Sequence, residues 1–228
     1  MEERTTENME ADFCYRDRLF KEDQMYTRLK TIAQDRLYSE TYKALAYMRE
    51  HHDGQFRKPG KHGDAHVPYI NHPLMMACHA LALGINDDAL LAAVLLHDVV
   101  EDTDTTLEEL PFSEEVRTIV GLVTFIKPES GDPVEKDAAK KTYYENIRRH
   151  PKACVLKALD RCNNVSTMAQ SFTREKLIEY VKETEDYVLP LITQIKEYYP
   201  EYADIAFIVK YHIISVIESV KNLLDQNG

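Results

Sequence analysis

Four ionisable side chains fall close together in the run His97-Asp98-Val99-Val100-Glu101-Asp102-Thr103. An imidazole beside a carboxylate is a ligand pair for a divalent cation, and two further carboxylates one helical turn on can accept protons. The run closes residues 89–96 (ALLAAVLL), a segment too apolar to lie anywhere but in a core. Charges at the end of a buried helix are unfavourable unless they are paired or bound to a cation. The bland alternative is a solvated acidic helix end with one packed histidine.

A divalent cation of this kind takes about six donors, so His97 and Asp98 need partners. Two residues in similar settings are candidates. His72 stands at a helix start in Tyr69-Ile-Asn-His-Pro73, and Asp160 ends the apolar stretch 155–159. Taken singly, His72 reads equally as a hydrogen-bonded structural residue, and Asp160, beside Arg161, as a salt bridge or cap. Together with His97 and Asp98 they make a set of two imidazoles and two carboxylates, with positions left for water and a phosphate oxygen. A cation so held lowers the pKa of water from about 15.7 to ~7–9, and a carboxylate one turn away can take the proton. Arg57, Lys58 and Lys61, with the helix N-terminus near Pro68, supply positive potential suited to a polyphosphate, although a solvated loop accounts for the basic residues equally well.

The elements that hold these residues read as helices joined by short links. After a frayed first dozen residues, 12–35 is loosely helical, through Phe13, Leu19, Phe20, Tyr26, Leu29 and Ile32. Ser39 is placed to cap a helix over 40–52. Residues 53–67 (DGQFRKPGKHGDAHV) form the one long loop. Pro68 opens a helix over 69–83, which Gly84 stops in a left-handed cap. Asp87 or Asp88 caps the apolar helix, which is expected to run on to Asp102. Thr106-Leu-Glu-Glu109 is a capping box for a short helix, and Ser113 starts another that reaches Thr124. Asp132-Pro133-Val134-Glu135 combines a cap, an N1 proline and an N3 glutamate ahead of a helix to Arg149. Helices over 151–170, 173–196 and 201–224 follow. The last carries an apolar stripe (Ile205, Ile208, Val209, Ile213, Val216, Ile217, Val220) for core packing or a helix–helix contact. Lys136, Lys140, Lys141, Arg148 and Arg149 read as a solvated face, with Lys140 or Lys141 in reach of a phosphate as the sharper alternative. Tyr143, Tyr144, Tyr180 and Tyr187 read as core or boundary aromatics, and Tyr180 falls in a segment that could approach a nucleoside.

Composition bounds the function. The chain has 228 residues, 44% hydrophobic and 29% charged, which suits a globular protein with one substantial core. Seven glycines and nine prolines are too few for a strand-rich sandwich. A net charge of -11 with no compensating basic stripe excludes a nucleic-acid partner held by phosphate neutralisation. Cys14, Cys78, Cys154 and Cys162 are scattered and read as reduced thiols. The opening MEERTTENMEADF is unlike a signal or transit peptide, and no apolar run approaches the ~20 residues of a membrane span. The expectation is a cytoplasmic protein with one all-α domain, bound to no membrane.

The order His72, His97-Asp98, Asp160 resembles the HD superfamily of metal-dependent phosphohydrolases. Longer motifs are similar to one branch of it, the hydrolase domain of the RelA/SpoT alarmone enzymes. They are Gly54-Gln-Phe-Arg57-Lys58, Pro68-Tyr-Ile-Asn-His-Pro73, Leu95-Leu-His-Asp-Val-Val-Glu-Asp-Thr103 and Lys157-Ala-Leu-Asp-Arg-Cys-Asn-Asn164. The resemblance spans residues 40–190. It implies a single HD-domain helical bundle of about eight to ten helices, with 1–38 an acidic tail and helix and 39–228 the phosphohydrolase domain with its C-terminal helices. It implies that His72, His97, Asp98 and Asp160 bind a divalent metal ion, usually Mn2+ in this family. Glu101 and Asp102 would position and deprotonate the attacking water. Arg57 and Lys58 match the basic pair that packs on the guanine and faces the phosphates, and Asn164 and Thr167 match nucleoside contacts. The implied reaction removes the 3′-pyrophosphate from the small-molecule nucleotides ppGpp and pppGpp, giving GDP or GTP.

There are departures. The loop 58–67 is longer than usual and carries His62, Asp64 and His66, read as a solvated lid rather than a second metal site. Cys162-Asn163 stands where Leu-His is typical, which alters the pocket wall, and 122–125 lacks the family's lysine. With no synthetase or regulatory domain, the chain resembles a stand-alone small alarmone hydrolase, and its helices from Glu201 onward are left to shape the pocket or a homo-oligomer contact. Two alternatives stand beside this reading. One is an HD phosphohydrolase for another phosphorylated nucleotide, a monophosphate or dinucleotide phosphate. The other is a non-catalytic nucleotide-sensing module, which would lack a ligand or a water-activating carboxylate, and neither is missing.

Overall fold

The computed structural model describes residues 21–58 and 67–226. In chain order the helices are α1 (Glu22–Asp35), α2 (Ser39–His51), α3 (Asn71–Ala82), α4 (Asp88–Leu96), α5 (Val99–Asp102), α6 (Glu114–Val123), α7 (Pro133–Ile147), α8 (Pro151–Ser171), α9 (Arg174–Glu183), α10 (Leu189–Tyr198) and α11 (Ala203–Gln226). The described residues contain no strand, only an isolated bridge between Phe56 and Pro68, and the all-α expectation holds. The frayed start, Cys14, the basic Lys61 and the lid residues His62, Asp64 and His66 lie outside the described residues.

The fold is organised around α4. Leu90 to Leu96 are all buried, and a helix that is apolar on every side must be central. It packs against α2, α3, α6 and α8. Each of its buried leucines contributes about 1.5–3 kcal/mol relative to an exposed one. Beyond it, α10 and α11 pack on α8, and α1 packs on α2 and α3. Of the stripe on α11, Ile205, Val209, Ile213, Ile217 and Val220 face inward, while Ile208 is exposed. No helix among the described residues is long and apolar enough to cross a membrane.

The two aspartates before α4 divide the capping between two helices. Asp87 caps α4, accepting from the Leu90 amide at 2.8 Å. Asp88 instead accepts from the Glu40 and Thr41 amides at 3.0 and 2.7 Å. Ser39, expected to cap α2, is that helix's first residue and makes no cap bond. The remote carboxylate supplies both acceptors and leaves the serine nothing to do. Gly84 stops α3 as expected, at φ +88°, with the Ile85 amide donating to the Ala80 carbonyl at 3.0 Å and the Gly84 amide to Leu81 at 3.0 Å.

Two helices expected to be continuous are interrupted, the first of them at the site. The apolar helix ends at Leu96 rather than at Asp102. His97 Nδ1–H donates to the Val94 carbonyl at 2.9 Å, competing for the acceptor of the next helical bond. The chain turns through His97 and Asp98 and resumes as α5, which Thr103 closes by donating its hydroxyl to the Val99 carbonyl at 2.7 Å. Likewise the helix expected over 173–196 widens into a π turn at Thr184–Val188. There the Thr184 hydroxyl donates to the Tyr180 carbonyl at 2.7 Å, and Arg161 donates to Thr184 Oγ1 at 3.0 Å. Side chains inserted into the ladder account for the extra residue.

A candidate metal centre and its adjoining cavity

His97 and Asp98 come from the turn between α4 and α5, His72 from the first turn of α3, and Asp160 from the middle of α8. Asp98 Oδ2 lies 3.0 Å from His97 Nε2 and 3.6 Å from His72 Nε2. Asp160 Oδ1 lies 3.4 Å from His72 Nε2 and 3.9 Å from His97 Nε2. In an octahedral shell with ligands ~2.1 Å from the ion, neighbouring donors are ~3.0 Å apart and opposite donors ~4.2 Å. These four separations fall within that span; His72, His97 and Asp98 form the tight cluster, their donor atoms all within 4.8 Å of one another, and Asp160 joins it through the two imidazoles.

Both imidazoles present the nitrogen a cation needs. His97 Nδ1 donates to a carbonyl, as above, and His72 Nδ1 donates to Asn163 Oδ1 at 2.7 Å. With Nδ1 donating, Nε2 is the nitrogen each ring turns toward the two aspartates, where a cation would take the place of a proton. His97 Nε2 is buried and has no hydrogen-bond partner. The local field is negative. Burial alone would lower the pKa of His97, yet Asp98 and Asp160 raise it to about 9. Burial disfavours ionised Asp98 and Asp160, but the facing His97 holds the first below the usual carboxylate range and Lys157 holds the second below it. Lys157 Nζ meets Asp160 Oδ2 at 2.9 Å, and Asn164 Nδ2 donates to Asp160 Oδ1 at 2.5 Å. Orphaned imidazole nitrogen, hard oxygen donors and a field that favours positive charge fit a divalent metal ion.

The remaining sequence-marked residues divide. Asp102, Arg57, Lys58, Asn164 and Thr167 line a cavity of about 620 Å³ that His72, Tyr69 and Asn163 also border, a size in the range of small-ligand sites. Arg57 donates to Asn164 Oδ1 at 3.2 Å. Tyr180, with Phe172 and Lys176, walls the same cavity. Glu101 points elsewhere. It lines a separate recess of about 350 Å³ with Phe125 and Lys127, accepts from the Phe125 amide at 3.2 Å, and has its pKa raised by burial. Lys140 is tied to Glu183 in an ion pair and lines neither space. The free thiols Cys78, Cys154 and Cys162 have no disulfide.

Sequence reasoning missed the residues that hold this arrangement. In the sequence Asn163 marks only a change in the pocket wall, whereas it orients His72 from a buried position. Tyr69 shows in the sequence only as part of a helix start. Outer partners of metal ligands typically contribute 10–100-fold to metal affinity. Asn163→Ala is therefore expected to weaken divalent-metal binding by about that factor, read by calorimetric titration, with the melting profile little changed.

An all-α bundle whose His, His-Asp and Asp converge from three places defines a class of helical metal-site proteins. Residues 44–191 match the HD domain family model, and the chain belongs to that family. It is 34% identical over 202 residues to the guanosine-3′,5′-bis(diphosphate) 3′-pyrophosphohydrolase of Aquifex aeolicus, covering 82% of this chain and 26% of that one. It is 30% identical over 180 residues to the bifunctional (p)ppGpp synthase/hydrolase SpoT of Escherichia coli, covering 73% and 24%. The chain thus spans about a quarter of the length of these curated relatives. Among solved structures, a metazoan ortholog of SpoT described as hydrolysing ppGpp superposes with TM-score 0.60 at 23% identity, over 79% of this chain and 95% of that one. At that identity the likeness shows the fold.

Proposed function

We propose that this chain is a manganese-dependent hydrolase that removes the 3′-pyrophosphate from ppGpp and pppGpp in the cytoplasm, with residues 39–228 as the working unit. The observation that carries the reading is the convergence of His72, His97, Asp98 and Asp160 beside a nucleotide-sized cavity. The curated relatives supply the substrate. A divalent ion held by the four side chains supplies acidity to water and offsets charge on the phosphoryl oxygens. Asp102 is the carboxylate on the cavity side and takes the proton of the attacking water. Glu101, which the resemblance pairs with Asp102 at the water, is turned to the other recess by the Phe125 amide, so Asp102 is also the group that returns the proton to the departing ribose 3′-oxygen. Arg57 and Lys58 face the phosphates and the guanine, and Asn164 and Thr167 contact the nucleoside.

One observation favours a second reading, with another phosphorylated nucleotide as substrate: Asn163 borders the cavity where the RelA/SpoT pattern carries histidine. Metal-stripped protein resupplied with Mn2+, Mg2+ or Fe2+ and offered ppGpp, pppGpp, nucleoside monophosphates and dinucleotide phosphates separates the two. The expected result is pyrophosphate and GDP in equal amounts from ppGpp with Mn2+. Turnover of the other nucleotides alone would establish the second reading. Binding without turnover of any of them would make the protein a sensing module.

A further inference from the structure

We infer that Tyr69 is a positioning residue for the hydrolytic centre, the link that fixes Asp102 to the metal ligand Asp98. The inference rests on the proposed metal-assisted hydrolysis and adds to it a residue that neither the ligand set nor the carboxylate pair includes.

Tyr69 lies just before α3, in the turn that Pro68 opens, where the Asn71 amide donates to the Pro68 carbonyl at 3.0 Å. Its hydroxyl stands 2.6 Å from Asp98 Oδ2 and 2.7 Å from Asp102 Oδ2. One phenol oxygen therefore touches the carboxylate oxygen that faces both imidazoles and the carboxylate that borders the cavity. The phenol has one proton, shared between the two carboxylate oxygens, and through that single oxygen the two acids are held two hydrogen-bond lengths apart. Among the described residues no other side chain donates to the Asp102 carboxylate, and without the hydroxyl between them the two like charges repel.

The ring is itself held on two sides. His52, only 2% exposed, packs against it with centroids 4.7 Å apart, and the Arg57 guanidinium lies over it at 5.9 Å. His52 Nδ1–H donates to Gln55 Oε1 at 2.7 Å, and Gln55 Nε2 donates to the Asp102 main-chain carbonyl at 3.1 Å. The Tyr69 amide in turn donates to the Gln55 carbonyl at 2.9 Å. The end of α2, the start of the long loop and the approach to α3 thus close on Asp102 from both its backbone and its side chain. Glu101 has no share in this clamp, being engaged by the Phe125 amide on the other side of α5.

The test is Tyr69→Phe, which keeps the ring packed against His52 and removes only the oxygen. Metal-stripped wild type and variant are titrated with Mn2+ by calorimetry, and steady-state ppGpp hydrolysis is followed at saturating Mn2+. The expected result is a Kd for Mn2+ weakened about tenfold. With it go a kcat lowered about 10–100-fold, a KM for ppGpp within twofold, and an unchanged circular dichroism spectrum. A kcat within twofold of wild type would overturn the assignment, as would a loss confined to KM. Failure of the substrate reading would show separately, as wild-type protein that binds Mn2+ and leaves ppGpp intact. In that case the metal titration decides, and equal affinities in the two proteins refute the role of Tyr69.

Discussion

Asp98→Ala is expected to lower ppGpp turnover by at least about a thousandfold, equivalent to roughly 4 kcal/mol of lost transition-state stabilisation. The reason is the number of contacts that meet on one carboxylate. Asp98 Oδ2 faces both imidazoles and accepts from Tyr69, so its removal opens the ligand set and frees Asp102 together. Raising Mn2+ is expected to restore little, because the water-orienting side is lost along with the affinity. Side-chain exposure of Asp98 is 19%, and it lies at a turn rather than inside a packed helix, so truncation leaves the fold intact. Pyrophosphate release, metal titration and circular dichroism measured on the same preparation check all three parts. A variant that keeps more than a tenth of wild-type kcat would remove Asp98 from the mechanism.

The largest expected effect on stability is at Arg161. Its guanidinium is buried, lies 3.9 Å from the Tyr180 ring centroid, and donates to Thr184 Oγ1, to Tyr144 Oη at 3.2 Å and to Glu183 Oε1 at 2.5 Å. Removing one member of a buried ion pair typically destabilises by 3–5 kcal/mol; here Glu183 keeps Lys140 as a partner while Thr184 and Tyr144 lose a donor, which sets the loss at the lower end of that range. Arg161→Ala is expected to lose about that much, roughly 10 °C in Tm for a chain of this size, together with the π turn that Arg161 and Thr184 stabilise. Tyr180, which walls the cavity, would be loosened with it, so KM should rise even where kcat survives.

The same pair sets a pH dependence. Burial disfavours ionised Glu183, but Arg161 and Lys140 outweigh it and hold its pKa at about 2, against an ordinary 4.5. The folded value lies below the unfolded one, so the contribution is complete above about pH 4.5 and is lost as pH falls toward 2. The depression corresponds to about 3 kcal/mol. Glu183→Gln keeps a neutral acceptor, and its stability should change less across that window. Equal slopes for wild type and variant in melting experiments between pH 6 and pH 3 would contradict the account.

Much of this was legible in the chain, for physical reasons. Charged residues at the ends of apolar stretches stand out because burial penalises them, which marked His97, Asp98 and Asp160. Local chemistry placed the helix starts at Ser113, Asp132 and Pro151 and the stop at Gly84, because caps act over three or four residues. What escaped depends on partners far apart in sequence. The acceptor for the start of α2 is Asp88, 47 residues beyond the Thr41 amide, and no local rule finds it. The break at His97 follows from which way the imidazole turns. The π turn follows from Arg161, inserted from another helix. Tyr69 says little until Asp98 and Asp102 are seen to share its hydroxyl. Successive residues on a helix point ~100° apart, and that spacing, applied strictly, separates Glu101 from Asp102 as the two cavities do.

The central claim is that four side chains from distant parts of the chain hold one divalent ion. Anomalous diffraction at the manganese edge from crystals of the Mn2+-loaded protein tests it most directly. A single strong peak bonded to Nε2 of His72 and His97 and to the carboxylates of Asp98 and Asp160 is the predicted result. A peak elsewhere, or none at that centre in protein that still turns over ppGpp, would contradict it.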